Sequence, residues 1–352
     1  MNSQYDRQEP GMTPLEASEK LAQMIMGFRL TQMISVAARL SIADRLKDGP
    51  QSVDALAQAT GTHAPSLYRL LRALAGSGIF AEDEQGRFGL TPLAEPLQAG
   101  VPGSRRPEAL VFGEPSRWKA WGDLLYSVTT GESAFRHANG MTSWEYLANK
   151  PELSANFDDY MTAGTLLQTA SVLGAYDFSG GQGTQIRTIV DVAGGHGAFI
   201  AAILQANPHM RGILCDAPHV IPGAQPVLEA AGVKERCEVV PCDFFSSVPE
   251  GGDIYILKQI VHDWDDEHAL AILKTCRRVV PGHGRLLLVE RIIPPGNAPD
   301  SAKLTDLHML IIYGGRERTA AEFGSLLSQS GFKLARLVPT NGGFSVVEAV
   351  PE

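Results

Sequence analysis

A strand, a glycine-rich turn and the start of a helix follow one another at residues 188–200. The β-branched run includes Asp191 near its end and leads into a cluster of glycines, Gly194, Gly195 and Gly197. Apolar residues then recur at helical spacing over 198–204. Glycine allows a ligand to approach the backbone closely, and the free N–H groups of a helix start can bind it. A plain tight turn has the same pattern, so the rest of the chain must distinguish the two.

The strand-turn-helix unit belongs to a longer alternating pattern. Helical segments separate strand-like runs at 187–192, 211–215, 237–241, 253–258, 284–290, 334–339 and 344–349. Alternation of this kind predicts a doubly wound α/β sheet. The hairpin signal Thr-Asn-Gly-Gly at 340–343 predicts that the last strand is antiparallel.

Length and composition exclude several classes of protein. A chain of 352 residues is long enough for two domains, and its 44% apolar residues can build a core. The net charge of −9 disfavours binding to nucleic acid. The sequence has no run of 18 apolar residues, so we expect no membrane span. The polar N-terminal residues lack the apolar region of a signal peptide, so we expect none. The four cysteines form no Cys-x-x-Cys pair, which predicts buried free thiols and a cytoplasmic protein.

The first helical region has a broad apolar surface. Its apolar residues recur at helical spacing from Leu15 to Leu46, and several are methionines. A homodimer interface and burial under the second domain both explain such a surface, and the sequence leaves the two open.

A compact helix, helix, hairpin pattern follows. The helices are expected near 52–57 and 64–75, and the hairpin spans 79–90 around an acidic turn. This is the pattern of a winged helix, which in a regulator binds DNA through its second helix. Residues 1–110 hold 11 Lys and Arg against 12 Asp and Glu, so the module lacks the basic surface that DNA binding needs.

The segment between this module and the sheet is helical and rich in aromatic residues. It can line an apolar acceptor pocket or pack as core between domains, and Met161 is our candidate lining residue. The expected organisation is a disordered start at 1–14, a winged-helix domain at 15–105, a helical pocket segment at 106–180 and a cofactor domain at 181–352.

Acids stand at the ends of the next two strands. Asp216 ends the second strand about 20 residues beyond the glycine loop, where an acid can accept both ribose hydroxyls. Capping a helix at Pro218 is the alternative role for this residue. Asp243 and Phe244 follow the third strand, and a carboxylate beside an aromatic ring suits an adenine. The loop lacks Gly-x-Gly-x-x-Gly spacing, so a dinucleotide fits poorly.

A histidine and two glutamates follow the later strands. His262 comes shortly after the fourth strand, Glu290 ends the fifth, and Glu317 lies further along the chain. Two carboxylates in reach can hold the tautomer of an imidazole and stabilise its protonated form. His262 could instead be a helix-start residue capped by Asp263, but the carboxylates favour a catalytic histidine.

These motifs together resemble the S-adenosylmethionine-dependent O-methyltransferases of the caffeic acid and hydroxyindole type. The resemblance rests on Asp191-Val-Ala-Gly-Gly-His-Gly, Asp216, Cys242-Asp-Phe-Phe, Leu257-Lys-x-x-x-His262-Asp-Trp-x-Asp-Glu and Gly315-Arg-Glu317-Arg-Thr. It implies a Rossmann-like class I methyltransferase sheet behind an N-terminal winged-helix dimerisation domain. It also implies that S-adenosylmethionine is held by Asp191, Gly194, Gly195, Gly197, Asp216, Asp243, Phe244 and Lys258.

The same resemblance implies the catalytic roles. His262 is the general base, Glu290 and Glu317 orient it, and no metal takes part. The residues implied for substrate binding are Met161, Asp263, Met309 and Tyr313. Ala193 replaces a glycine that the family usually has, and His196 receives no role.

The expected reaction is methylation of a phenol on an aromatic natural-product precursor in secondary metabolism. A phenol has a pKa near 10, so a neutral His262 would remove its proton as the oxygen attacks the methyl group. Two alternatives remain open. A diverged member could hydroxylate, decarboxylate or catalyse a pericyclic step, and a winged-helix regulator would bind DNA.

Overall fold

The structure is a computed structural model that describes residues 12–179 and 186–352. The chain divides into two compact units, with the division between Glu114 and Pro115. Most of the segment predicted to be disordered lies outside the described residues, as does the predicted boundary at 180/181. The predicted domain boundaries therefore stay predictions.

The first unit contains the predicted helices and hairpin. The bounds are α1 (Pro14–Ile25), α2 (Phe28–Arg39), α3 (Ile42–Arg45), β1 (Gln51–Ser52), α4 (Val53–Thr60), α5 (Ala64–Gly76), β2 (Phe80–Glu82), β3 (Arg87–Leu90) and α6 (Arg106–Phe112). Strands β2 and β3 pair antiparallel, and β1, which is too short to be recognised from sequence, pairs with β3. The inward leucines of α5 and the phenylalanines of the hairpin form a buried core.

The start of this unit has exposed apolar side chains. Helix α1 begins with a capping box in which Thr13 and Glu16 exchange hydrogen bonds, which satisfies N–H groups of the first turn. Yet α1 buries none of its residues. The large apolar side chains exposed on α1, α2 and between them are Leu15, Leu21, Met24, Ile25, Met26, Phe28, Leu30 and Val36. A patch of this kind marks an interaction surface.

The second unit contains a seven-stranded sheet among the described residues. Its bounds are α7 (Pro115–Gly122), α8 (Leu124–Thr130), α9 (Ala134–Asn139), α10 (Ser143–Ala148), α11 (Pro151–Ala175), β4 (Thr188–Val192), α12 (Ala198–Ala206), β5 (Arg211–Asp216), α13 (Ala224–Ala230), β6 (Cys237–Pro241), β7 (Ile254–Lys258), α14 (Asp266–Val279), β8 (Arg285–Glu290), α15 (Ser301–Ile312), α16 (Ala320–Gln329), β9 (Phe332–Pro339) and β10 (Ser345–Pro351). The strand order is β6-β5-β4-β7-β8-β10-β9.

The sheet is doubly wound, as predicted. Strands β6, β5, β4, β7 and β8 are parallel, and β10 is antiparallel to both β8 and β9. The chain reverses its direction of winding between β4 and β7, so a crevice opens at the carboxyl ends of these strands. Ligand-binding residues are therefore expected at that edge.

Both faces of the sheet are covered, which explains the nearly continuous apolar runs in its strands. In β7, Ile254 and Ile256 pack into one buried cluster, while Tyr255 and Leu257 pack into the cluster on the opposite face. This alternation follows the two-residue period of a strand. Among the described residues, no helix combines the length and the apolar character needed to cross a membrane.

The turn after β4 contains a non-glycine residue in the left-handed region. Ala193 has φ 57°, a backbone conformation that costs an ordinary residue about 1–2 kcal/mol. The strain lies at the start of the glycine loop, where the resembled family usually has glycine. The alanine therefore makes the loop stiffer at some cost in stability.

We expect Ala193→Gly to stabilise the protein by about 0.5–1 kcal/mol, because relief of the left-handed strain exceeds the added entropy of the unfolded chain. This corresponds to a rise of about 1–3 °C in the melting temperature, measured by calorimetry. The matched control is Ala202→Gly within α12, where glycine should destabilise by about 1 kcal/mol. Equal losses for the two variants would contradict the strain argument.

Candidate active site

The glycine loop between β4 and α12 has no room for side chains on its inner side. A Cβ on Gly194 would lie 2.5 Å from Oδ2 of Asp191 and 2.5 Å from Cδ1 of Leu214. A Cβ on Gly195 would meet nothing within 4 Å, so this glycine borders open space. The loop is thus packed on one side and accessible on the other, as a ligand cradle requires.

Asp216 at the end of β5 supports this loop. Its Oδ2 accepts the Gly195 N–H at 2.7 Å, and its Oδ1 accepts the Ala217 N–H at 2.6 Å. The residues from Pro218 form a turn, so Asp216 caps no helix there. Burial raises the pKa of Asp216, although the two backbone hydrogen bonds oppose this shift. Its role in binding the ribose stays a prediction.

Asp191 is a buried carboxylate at the base of the loop. Neither of its oxygens has a hydrogen-bond partner of normal geometry among the described side chains and backbone groups. Burial raises its pKa to about 7, and the positive charge of Lys258 limits the rise. A buried carboxylate without a donor suits a cationic ligand, so the donor set fits S-adenosylmethionine.

Lys258 ends β7 on the other side of the crevice. Its Nζ donates to Oγ1 of Thr165 at 3.1 Å and to Oε1 of Gln259 at 2.8 Å. Burial lowers the pKa of Lys258 to about 8, although Asp191 and Glu290 oppose the shift. The lysine therefore lies at the predicted edge of the sheet, between the loop and the carboxylates that follow.

Asp243 and Phe244 form the turn after β6. Asp243 is exposed, and its carboxylate accepts the Phe245 N–H at 3.0 Å and the Ser246 hydroxyl at 2.7 Å. The ring of Phe244 packs 4.9 Å from that of Phe245 and 6.2 Å from that of Trp264, measured between centroids. Both residues therefore have structural contacts, and adenine binding stays a prediction.

His196 within the loop packs against backbone. A Cβ on Gly223 would lie only 2.4 Å from its Nε2, so the ring covers the residue just before α13. His196, which has no predicted role, is therefore a packing residue in this loop.

The structure brings His262 together with both predicted glutamates. The ring is only 5% exposed, and its Nδ1 lies 2.9 Å from Oε1 of Glu317 and 3.7 Å from Oε2 of Glu290. On the other side, Nε2 lies 3.6 Å from Oδ1 of Asp263. His262 is not a capped helix start, because the side chain that caps α14 is Asp265.

The backbone around His262 is held by the same groups. Oε1 of Glu290 accepts the N–H groups of Ile260 at 3.1 Å and Val261 at 2.9 Å. A Cβ on Gly315 would lie 2.1 Å from the His262 carbonyl oxygen, so this close approach requires glycine. Glu290 therefore positions the turn, while Glu317 binds the ring itself.

Arg318 is a residue of this site to which the sequence analysis gave no role. It is fully buried and donates to the carbonyls of Val261 and Trp264, both at 3.0 Å, and to the carboxylate of Asp266 at 2.7 Å. It thereby clamps the turn that carries His262. Its position inside the Arg-Glu-Arg-Thr motif, next to Glu317, is the sequence feature that could have indicated this role.

Electrostatics in this cluster favour a charged imidazole. Burial disfavours the charge, but the carboxylates of Glu290, Asp263 and Glu317 together raise the pKa of His262 to about 10. Burial likewise raises the pKa of Glu290 to about 7 and that of Asp263 to about 6. The carboxylates therefore favour a proton on the His262 ring, whereas the expected general-base role requires the neutral imidazole, and this role stays a prediction.

The three side chains His262, Glu290 and Glu317 also have the spacing of a metal site, which was not expected from the sequence. One ligand atom from each of His262, Glu290 and Glu317 lies within 4.8 Å of the others, a spacing that could hold a metal ion. Nδ1 of the imidazole is already hydrogen-bonded to Glu317, so the arrangement is a charged hydrogen-bonded cluster.

The residues predicted to bind substrate have different environments. Met161 is half-buried on α11, and Met309 is buried on α15. Tyr313, just after α15, stacks on Trp144 at 4.9 Å between ring centroids. Asp263 is the member of this set that the structure places beside His262. A pocket role for the other three stays a prediction.

We expect Glu317→Gln to lower the pKa of His262, because it removes the carboxylate hydrogen-bonded to Nδ1. An NMR titration of the histidine side chains would measure this shift. The matched control is Asp265→Asn, which removes a carboxylate 2.8 Å from Nδ1 of His268 and should leave His262 unchanged.

The titration also predicts how stability depends on pH. The raised pKa of His262 stabilises the fold fully below its ordinary value of 6.5, and this contribution is lost as the pH rises towards 10. Glu317→Gln should reduce that loss between neutral and alkaline pH. An unshifted His262 titration in this variant would contradict the assignment.

Comparison with known proteins identifies both parts of the chain. Residues 121–333 match the O-methyltransferase domain model, and residues 22–99 match the O-methyltransferase dimerisation domain model. A phenazine O-methyltransferase of Lysobacter antibioticus is 46% identical over 341 residues, which is 97% of this chain and 98% of that protein.

Solved structures agree with this match. The crystal structure of LaPhzM has a TM-score of 0.92 at 46% identity, covering 97% of this chain and all of that chain. NcsB1 from neocarzinostatin biosynthesis, solved with S-adenosylmethionine and 2-hydroxy-5-methyl naphthoic acid, has a TM-score of 0.81 at 31% identity, covering 97% of this chain and all of that chain. The chain belongs to the S-adenosylmethionine-dependent O-methyltransferases.

Proposed function

We propose that this enzyme methylates a phenolic hydroxyl of an aromatic small molecule in natural-product biosynthesis. The observation that carries the proposal is the buried imidazole of His262, whose Nδ1 is bound by Glu317. Its Nε2 remains the ring nitrogen available to an acceptor hydroxyl. Phenazine and naphthoic acid ligands or substrates named for the relatives support an aromatic acceptor.

The electrostatics of His262 suit a phenol. Its pKa of about 10 is close to that of a phenol, so once the ring has lost its own proton, moving a proton from the acceptor to Nε2 costs little free energy. An acceptor that enters as phenolate would instead pair directly with the imidazolium. In both cases Glu317 holds the ring orientation, and Glu290 holds the turn and adds negative charge.

We propose the binding residues of the cofactor on the same basis. S-adenosylmethionine, when bound, supplies a methyl group on a cationic sulfonium. Asp191, the loop glycines Gly194, Gly195 and Gly197, Asp216 and Lys258 are the residues that would hold it, supported by their place at the carboxyl edge of the sheet. Asp243 and Phe244 would contact the adenine, and Met161, Asp263, Met309 and Tyr313 would line the acceptor pocket.

We expect His262→Ala to lower kcat by about 100- to 10,000-fold, because it removes the base while leaving the cofactor residues intact. Methyl transfer from labelled S-adenosylmethionine to a panel of phenols measures the rate, and calorimetry measures cofactor binding. The control is His283→Ala, a histidine with an exposed side chain in the loop before β8. Full activity of His262→Ala, or a product other than a methyl ether, would refute the proposed chemistry.

We propose that the dimerisation domain forms a homodimer through the exposed apolar side chains of α1 and α2. The alternative role of a winged helix, DNA binding, is disfavoured by the hairpin. Arg87 in that hairpin is paired with Asp83 at 2.8 Å, so its charge is compensated.

The four cysteines are free thiols, which supports a cytoplasmic location.

We expect Phe28→Glu to weaken the dimer strongly, because Phe28 is 52% exposed within the apolar patch and a buried glutamate there would lack a partner. Light scattering over a range of concentrations should give a dimer mass for the native chain and a lower mass for the variant. Ala73→Glu on the exposed side of α5 is the control. A native chain that is monomeric at all concentrations would exclude the dimer.

A further inference from the structure

Arg117 is a buried arginine without an ion-pair partner among the described residues. It lies on α7 and is 7% exposed. Its Nη2 donates to the Tyr313 hydroxyl at 3.1 Å, and its Nη1 lies 3.3 Å from Nε2 of His308. A guanidinium has five N–H donors, so these contacts leave most of its capacity unused.

Both contacting groups are neutral. Burial, with a further contribution from Arg117, lowers the pKa of His308 to about 3. Burial raises the pKa of the Tyr313 hydroxyl, so this group carries no negative charge. Burial raises the pKa of Asp263 and the charge of Arg117 limits this rise, but the carboxylate is not within ion-pair distance of Arg117. The charge of Arg117 is therefore buried with no carboxylate in ion-pair contact among the described residues, which is costly for a protein.

The surroundings of this charge are aromatic. The guanidinium carbon lies 5.7 Å from the ring centroid of Phe157 and 5.8 Å from that of Tyr313. The ring of Trp144 stacks on Tyr313 and meets Phe157 edge to face at 6.0 Å. A pocket with flat aromatic walls and a single cation is complementary to a ligand with an aromatic ring and one anionic group.

The same aromatic cluster is close to the catalytic histidine. The segment that begins with Tyr313 continues to Arg316, whose N–H donates to the His262 carbonyl at 2.9 Å. Asp263 interacts electrostatically with Arg117, and its carboxylate is also the one next to Nε2 of His262. A ligand held by Arg117 therefore lies on the side of the site that the acceptor must use.

We propose that Arg117 binds a carboxylate carried by the aromatic acceptor, separate from the hydroxyl that is methylated. The planar guanidinium matches a carboxylate with two parallel hydrogen bonds, and the bound anion compensates the buried charge. Arg117 thereby selects hydroxylated aromatic acids over neutral phenols. This inference rests on the proposed methyl transfer and specifies the substrate class.

The alternative is a structural role, in which Arg117 ties α7 to the end of α15. The melting temperature of a variant distinguishes this structural role from anion binding. Removal of a structural tie should lower the melting temperature of Arg117→Met. Removal of an uncompensated buried charge should leave it unchanged or raise it. The conservative variant Arg117→Lys keeps the charge but loses the two-point geometry.

The test uses acceptors that differ only in charge, 1,4-dihydroxy-2-naphthoate and its carboxamide. We expect the native enzyme to favour the carboxylate by about 100-fold in kcat/KM. Arg117→Met should abolish this preference by lowering kcat/KM for the carboxylate far more than for the carboxamide, and Arg117→Lys should retain part of it. Lys119→Met, an exposed cation on the same helix, is the control and should keep the full preference.

A binding measurement makes the outcome independent of catalysis. 2-Naphthoate has no hydroxyl to methylate, and calorimetry should show that it binds the native chain and binds Arg117→Met at least tenfold more weakly. Equal binding to both, no binding to either, or equal loss of rate for both acceptors would overturn the role of Arg117. If neither acceptor is methylated but 2-naphthoate binding depends on Arg117, the proposed reaction fails and the anion site stands.

Discussion

The hydrogen bond between His262 and Glu317 is the interaction on which the rest of the site depends. Both partners are buried, and the carboxylates around the imidazole raise its pKa against the effect of burial. A charged cluster in a protein interior must be held tightly, since a small displacement would leave its groups unpaired. Glu290 and Arg318 supply this support through the backbone of the turn between β7 and α14.

The parallel sheet explains why these groups meet. Strands β4, β5, β7 and β8 end at one edge, so Asp191, Asp216, Lys258 and Glu290 lie along that edge although the first and the last are about 100 residues apart in the chain. The buried strand interiors position them with little freedom. In the glycine loop after β4, close packing against Asp191 leaves no space for a side chain at Gly194.

Two buried ionisable groups lack a partner in direct ion-pair contact within the described chain, and both point to ligands. Asp191 is offset by Lys258 without direct contact and lies against the glycine loop, where a cationic cofactor fits. Arg117 has no ion-pair partner and lies among aromatic rings, where an anionic acceptor fits. The opposite charges are consistent with two ligands of different kinds, brought together near His262.

The sequence by itself determined the sheet, the glycine loop, the winged-helix pattern and the identity of His262, Glu290 and Glu317, because strand periodicity and short motifs are local signals. Only the tertiary structure decided the roles within the site. It paired the ring with Glu317 and the turn with Glu290, surrounded the imidazole with carboxylates, and placed Arg318 against the backbone of that turn. Their effects depend on burial and on partners distant in sequence, and neither quantity is encoded in local spacing.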